Sequence, residues 1–310
     1  MTTHSTRGGP AAKIPAANSS ASGPNPSRAR RRSRRRFGDL GSRPGFLSYG
    51  LLAAVLLGSA YPLWWSVVVA SGTNATRALT LPLIPGGNFF ANAARVFDAI
   101  PFWTALGNSL LVSGVITASV VTFSTLAGYA FAKLRFRGRD GLMIFVIATM
   151  AIPTQLGIIP LFIVMRQLGW TGELGAVIVP TLVTAFGVFF MRQYLVDVIP
   201  DELIEAARVD GANQLRTFLT VAVPAARPAM AILALFTFMM AWTDYLWPLI
   251  VLSPTNPTLQ TALGQLQSGY YVNYSIVLAG AVLSTIPLLI LFIAAGKHLI
   301  SGIMQGAVKG

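Results

Sequence analysis

The chain is expected to be an all-α polytopic membrane protein, and two observations carry that expectation. Of its 310 residues, 11% are charged and 54% hydrophobic, whereas a soluble domain averages about 25% charged residues. So few charges cannot solvate a globule of this length. In addition, six continuous apolar stretches recur at about 46–70, 105–132, 141–165, 174–196, 226–250 and 276–297. A hydrocarbon core about 30 Å thick needs about 20 residues at 1.5 Å rise, and each stretch meets that length. The runs are unbroken rather than alternating, so helices are expected and not barrel strands.

Residues 1–45 come first and lack hydrophobic periodicity. They are rich in Ala, Ser, Pro, Gly and Arg, with Arg30, Arg31, Arg32, Arg34, Arg35 and Arg36 close together. Such a segment buries too little apolar surface to offset its ordering entropy, so a disordered cytoplasmic tail is expected. Its arginines suit anionic membrane lipid. Ser33-Arg34-Arg35-Arg36-Phe37 faintly resembles a twin-arginine export signal, but the following apolar run is longer than the 7–15 residues of a signal h-region. Most of the formal charge of +13 lies in this tail, which argues against nucleic acid as a partner.

The loops between spans set the orientation, because Lys and Arg accumulate on the cytoplasmic side. With the N-terminus inside, the inner loops and adjoining helix ends carry Lys133, Arg135, Arg137, Arg139, Arg192, Arg208, Arg216, Arg227, Lys297 and Lys309. The outer loops carry Arg77, Arg95 and Arg166. Both termini are therefore expected in the cytoplasm. Trp64, Trp65, Trp103, Trp170 and Trp247 then fall near the outer interface.

Several chemistries are excluded. There is no cysteine, and the two histidines, His4 and His298, lie at opposite ends, so no metal site or cofactor is expected. No GxxxxGK[ST] occurs, so the chain has no P-loop of its own for ATP. A catalytic constellation is absent.

The longest inner loop, 197–225, is unlike a connector. Pro200 stops the preceding helix, Asp201 is the expected N-cap, and Glu202 and Glu205 sit where the helix dipole favours negative charge. Gly211 can take positive φ and end this short helix. A second short helix, about 212–220, is expected to run to Pro224, giving a helix–turn–helix knob. Ala206, Ala207 and Ala212 would admit a close partner backbone. Pattern alone leaves two readings open: a docking knob, or an amphipathic loop lying on the membrane.

Glu205-Ala206-Ala207, three residues, Gly211, nine residues, and Val221-Ala222-Val223-Pro224 resemble the EAA loop of ABC importer permeases. Gly128–Gly138, the proline pairs Ile152-Pro153 and Ile159-Pro160, Phe186–Gln193, Ala241–Leu249 and the terminal Gly306–Gly310 are similar to the carbohydrate branch, and to the second subunit of maltose-type importers. Thr243 departs from the usual Asn. The resemblance implies a coupling helix, centred on Glu205, Ala206, Ala207, Asp210, Gly211 and Pro224, that seats in a groove of an ATPase. The implied partners are a second permease subunit, two ATP-binding cassette subunits and an extracytoplasmic sugar-binding protein. The chain itself is then no enzyme, and ATP is hydrolysed by a partner.

Two further groups are candidates. Asp244 is the lone acidic residue in an expected span, and with Trp242 and Tyr245 it suits a translocation path, since aromatic faces pack on sugar C–H patches. Gln265, Tyr270 and Tyr271, in the polar–aromatic outer loop 253–275, suit contact with the binding protein. Pro153, Pro160 and Pro180 predict kinks. The rival readings are a self-contained secondary transporter, which should show mid-span carboxylates and inverted repeats, and an ABC permease for a non-sugar solute.

Overall fold

The computed structural model describes residues 45–73, 84–268 and 271–307, with side chains described as far as residue 294. The tail 1–44, residues 74–83, Tyr270 and residues 308–310 lie outside the described residues. The chain divides into two compact units, Met1–Ser59 and Ala60–Gly310.

In the first unit, the described part is the start of helix α1 (Phe46–Ala70). Phe46, Leu47, Leu51, Val55 and Leu56 are all exposed there. A helix that is apolar all round and exposes that surface is a membrane span.

In the second unit, the end of α1 buries Val68, Val69 and Ala70. Asn92 of the amphipathic helix α2 (Phe89–Ala99) closes that end, its Nδ2 donating to Ala70 O at 2.8 Å and Gly72 O at 2.9 Å. The expected spans do not include α2.

Helix α3 (Phe102–Lys133) is the axis of the bundle and packs on α7 and α10. It approaches α7 closely at Gly128, where an added Cβ would lie 2.7 Å from Arg192 N and 2.8 Å from Met191 Cβ. Only a residue without a side chain lets the two backbones meet there.

The third expected span is not a straight rod. Helices α4 (Arg139–Met150) and α5 (Ile158–Gln167) flank a 3-10 turn, Thr154–Gly157, and bend by 88°. Pro153 is the cause: it disfavours the helical region for Ile152 before it and cannot donate to the preceding turn. Pro160 lies in the first turn of α5, where a missing N–H costs nothing, and makes no break of its own. Pro180 sits in a 3-10 turn, Val179–Thr181, between α6 (Gly175–Ile178) and α7 (Ala185–Val198).

Helix α8 (Asp201–Val209) forms the first half of the knob. The expected second half is not separate. Helix α9 (Gln214–Thr217), a π-turn at Phe218–Ala222 and α10 (Val223–Thr243) form one apolar helical run, Gln214–Thr243. The proline ring at 224 would meet the carbonyl of Thr220 in a regular helix, and the wider π-turn before it relieves that clash.

The fifth span ends at Thr243 rather than near 250. Asp244 is extended (φ −65°, ψ 122°), and the short α11 (Leu246–Val251) and α12 (Leu259–Gln265) follow. Helix α13 (Tyr274–Ala307) closes the fold. Among the described residues five helical runs are long and apolar enough to cross a membrane, and the bent α4–α5 pair makes a sixth candidate. Two apolar cores result. Val120, Met191, Leu195, Ala226 and Leu233 belong to one, and Val96, Phe102, Ala105, Trp242 and Leu259 to the other.

Candidate coupling knob and the opposite end of the bundle

The knob begins at Pro200, whose extended backbone (φ −61°, ψ 146°) occupies the N-cap position. Asp201 is thus the first helical residue rather than the cap. Its freed carboxylate accepts a hydrogen bond from Lys133 Nζ at 2.8 Å. The Lys133 side chain is 6% exposed, its stem running along the bundle while its ammonium group reaches out. That hydrogen bond and the Lys133 charge, with help from Arg135, hold the Asp201 carboxyl below its ordinary range.

Ile204 is the buried anchor of α8. Glu202, Glu205, Ala206 and Asp210 are exposed and Ala207 is half-buried. Beside them Leu203 and Val209 are open, the latter 88% exposed. Among the described residues α8 is thus held by one buried apolar anchor and one ion pair, with acidic, small and apolar groups turned outward.

Gly211 ends α8 as the sequence predicts. Its φ is +77°, its N–H donates to Arg208 O at 3.0 Å, and the Ala212 N–H donates to Ala207 O at 2.9 Å. These two bonds form a Schellman motif. Asn213 then starts α9, its Oδ1 accepting from the Arg216 N–H at 2.8 Å. The cap at Asn213 and the anchor at Lys133 are structural supports of the knob that motif reading missed. Lys133 was legible as a cation near the knob, but its pairing needs the fold.

Tyr129 is a second support from α3. It is buried, its ring lies 5.4 Å from that of Phe218, and its hydroxyl reaches Gln214 Oε1 at 3.5 Å. Pro224 is exposed on the far side of the π-turn. The knob is therefore continuous with α10 and braced by α3.

About 30 Å further along α10, by its rise per residue, the other candidate residues gather. Trp242 is 1% exposed; its Nε1 donates to Ser284 O at 3.2 Å and its ring stacks on Phe238 at 5.6 Å. It belongs to the core of the bundle, with no open face. Asp244 is half-buried, its carboxylate lying against the N–H groups of Leu246 and Trp247 at the start of α11. Tyr245 is exposed and covers Gly264, where a Cβ would meet its ring and hydroxyl at 2.9 Å. Gln265 and Tyr271 are exposed. Hence Tyr245 and Gln265 come together through α12, Asp244 neighbours them in the chain, and Trp242 turns inward.

A network of amides fixes this end. Asn108 Nδ2 donates to Asn256 Oδ1 at 2.8 Å and to Pro257 O at 2.9 Å, and Asn256 Nδ2 donates to Gly172 O at 3.0 Å. The Leu259 N–H donates to Ser109 Oγ at 2.8 Å. Sequence reading assigned no role to these residues.

A bundle of apolar spans with a rigid knob at one end and polar–aromatic loops at the other defines a multi-pass membrane transport subunit. The family model for binding-protein-dependent transport system inner membrane components matches residues 121–304, and the chain belongs to that family. It is 38% identical to the arabinooligosaccharide transport system permease AraQ of Halalkalibacterium halodurans, over 81% of this chain and 92% of the relative. It is 32% identical to the lactose transport system permease LacG of Rhizobium radiobacter, over 86% and 97%. Among solved structures, a bacterial ABC transporter that imports the acidic polysaccharide alginate superposes with a TM-score of 0.69 at 27% identity, over 82% of this chain and 99% of that one. The resemblance to sugar importer permeases seen in the motifs is thus matched over most of the chain.

Proposed function

We propose that this chain is one of two permease subunits of an ATP-driven carbohydrate importer and forms half of its translocation path. The observation that carries the reading is the knob. A helix closed at Gly211 by two hydrogen bonds and pinned by Lys133–Asp201 transmits displacement without bending, and it leads through the Gly211 turn and α9 into α10. Seated in a groove of an ATP-binding cassette subunit through Glu205, Ala206, Ala207, Asp210 and Gly211, it passes closure of the ATPase dimer to the spans. Hydrolysis belongs to the two cassette subunits. The Lys/Arg-rich loops support a cytoplasmic position for the knob and both termini.

At the opposite end Gln265 and Tyr271 face an extracytoplasmic sugar-binding protein, with Asp244 and Tyr245 at the mouth of the path; the sequence expectation for Tyr270 lies outside the described residues. The relatives named for arabinooligosaccharides, lactose and alginate support a saccharide as the solute. Purification from native membranes in mild detergent, with tags at either terminus in separate experiments, tests the assembly. Co-purification of an ATPase and a second permease, lost in the Glu205→Lys/Gly211→Val double variant, is the expected result. A chain that purifies alone under both tags overturns the coupling reading in favour of a self-contained transporter.

A further inference from the structure

The loop between α3 and α4 holds more positive charge than its ion pairs absorb. Lys133, Arg135, Arg137 and Arg139 stand against Asp140 alone within it. Lys133 is committed to Asp201, and Arg139 Nε pairs with its neighbour Asp140 at 3.0 Å. Among the described residues Arg135 and Arg137 enter no ion pair, and both are exposed. The local excess is therefore carried by two guanidinium groups facing outward.

Arg135 borders a concavity of about 380 Å³ formed with Phe136, Gly138, Arg139, Asp140 and Gly141, and Arg137 lies in the same loop between Phe136 and Gly138. Phe136 holds its wall, packed on Phe131 with ring centroids 5.8 Å apart. One turn further along α4, Leu142, Ile144 and Phe145 are exposed over at least half of their surface. In a span, such side chains face acyl chains. The hollow, lined by two arginines and one aspartate, thus adjoins exposed apolar residues of α4.

We infer that this loop is a binding site for an anionic glycerophospholipid of the inner leaflet, its phosphate held by Arg135 and Arg137 and its acyl chains lying along Leu142 and Phe145. Planar guanidinium donors suit phosphate oxygens. A soluble anion would leave the apolar wall unused, and a zwitterionic lipid would bring its own cation into the hollow. Because the loop joins Lys133, which grips the knob, to the bent α4–α5 pair, a lipid seated here steadies the base of the coupling element. The inference rests on the orientation proposed above.

The test uses the full transporter in nanodiscs of phosphatidylcholine and a fluorescent phosphatidylglycerol as the probe. At about 1 kcal/mol per basic residue near an anionic surface, the R135Q/R137Q variant is expected to bind the probe roughly 30-fold more weakly than wild type. The charge-preserving R135K/R137K variant, which folds under the same constraints, retains most of the binding. Equal binding by wild type and R135Q/R137Q overturns the inference. Displacement of the probe by millimolar inorganic phosphate assigns the hollow to a soluble anion and overturns it too. Loss of the ATPase subunit from R135Q/R137Q with probe binding unchanged assigns the loop to a protein partner instead. The chain has no cysteine, so Arg137→Cys labelled from either side reports orientation separately. Labelling from the outer face would sink the orientation reading and this one together, whereas weak lipid binding with inner-face labelling sinks this one alone.

Discussion

Lys133 Nζ and Asp201 Oδ1 lie 2.8 Å apart and join the last turn of α3 to the first turn of α8. The pair links the axis of the bundle to its knob across 68 residues of sequence. Because Pro200 takes the cap position, Asp201 is released from capping and its carboxylate is available to the lysine.

Removing that link should loosen α8 without unfolding the spans. Asp201→Asn is expected to raise amide hydrogen exchange across 201–209 and to lower ATP-driven uptake, while the thermal midpoint of the bundle stays close to wild type. Exchange by mass spectrometry on the detergent-solubilised complex checks this. An unchanged pattern in α8 would show that Ile204 alone holds the knob.

The same pair sets a pH dependence. The Asp201 carboxyl is held below its ordinary range by Lys133, so its contribution is complete above the ordinary carboxylate pKa and is lost as pH falls through the lowered one. Protection of α8, corrected for intrinsic exchange, should therefore be flat from neutral pH down to the usual carboxylate range and fall below it. In Asp201→Asn the acid-side fall should be absent.

Gly211→Val should uncouple the transporter. At φ +77° a side chain costs about 1–2 kcal/mol, more when β-branched. The expected outcome is normal membrane insertion with ATPase co-purification and uptake both lost. Gly211→Asn, which tolerates that backbone region, should retain part of each. Normal uptake by stably expressed Gly211→Val would refute the role given to this turn.

Gly128→Ala should destabilise the bundle itself. Its Cβ would fall 2.7 Å from the backbone nitrogen of Arg192, and forced separation of packed helices costs about 1–3 kcal/mol. Gly114→Ala, also within α3 and with nothing within 4 Å of its Cβ, is the control and should be neutral or stabilising. Differential thermal unfolding in one detergent separates the two.

Asn256→Ala should loosen the opposite end. It removes a donor to Gly172 O and an acceptor for Asn108, and a half-buried amide network of this kind contributes about 1–3 kcal/mol. A lower thermal midpoint with ATPase co-purification intact is expected, since the knob is untouched. Loss of the ATPase would mean that the two ends are coupled through α10.

Much of this was legible from the chain alone. Apolar length fixed the spans, because a bilayer demands about 20 residues of it wherever they occur. The positive φ of Gly211 was legible because a helix that must end in the left-handed region selects glycine. The 88° bend at Pro153 was legible as a kink but not as an angle, since the proline removes a bond while the neighbouring helices choose the direction. Amphipathic α2 and short α12 were missed because each is too brief for hydropathy to single out. The break at Asp244 was missed because the apolar run continues through it to Val251.

What the sequence alone determined is the class of solvent this chain inhabits, the approximate positions of its spans and the knob that marks its family, all properties of local composition and spacing. What only the tertiary structure decided is which side chains meet. Lys133 finds Asp201, Gly128 admits Arg192, Asn108 finds Asn256, and Trp242 turns into the core. Those pairings join residues far apart in the chain. They depend on how helices cross, and crossing is set by the packing of whole surfaces rather than by any one segment.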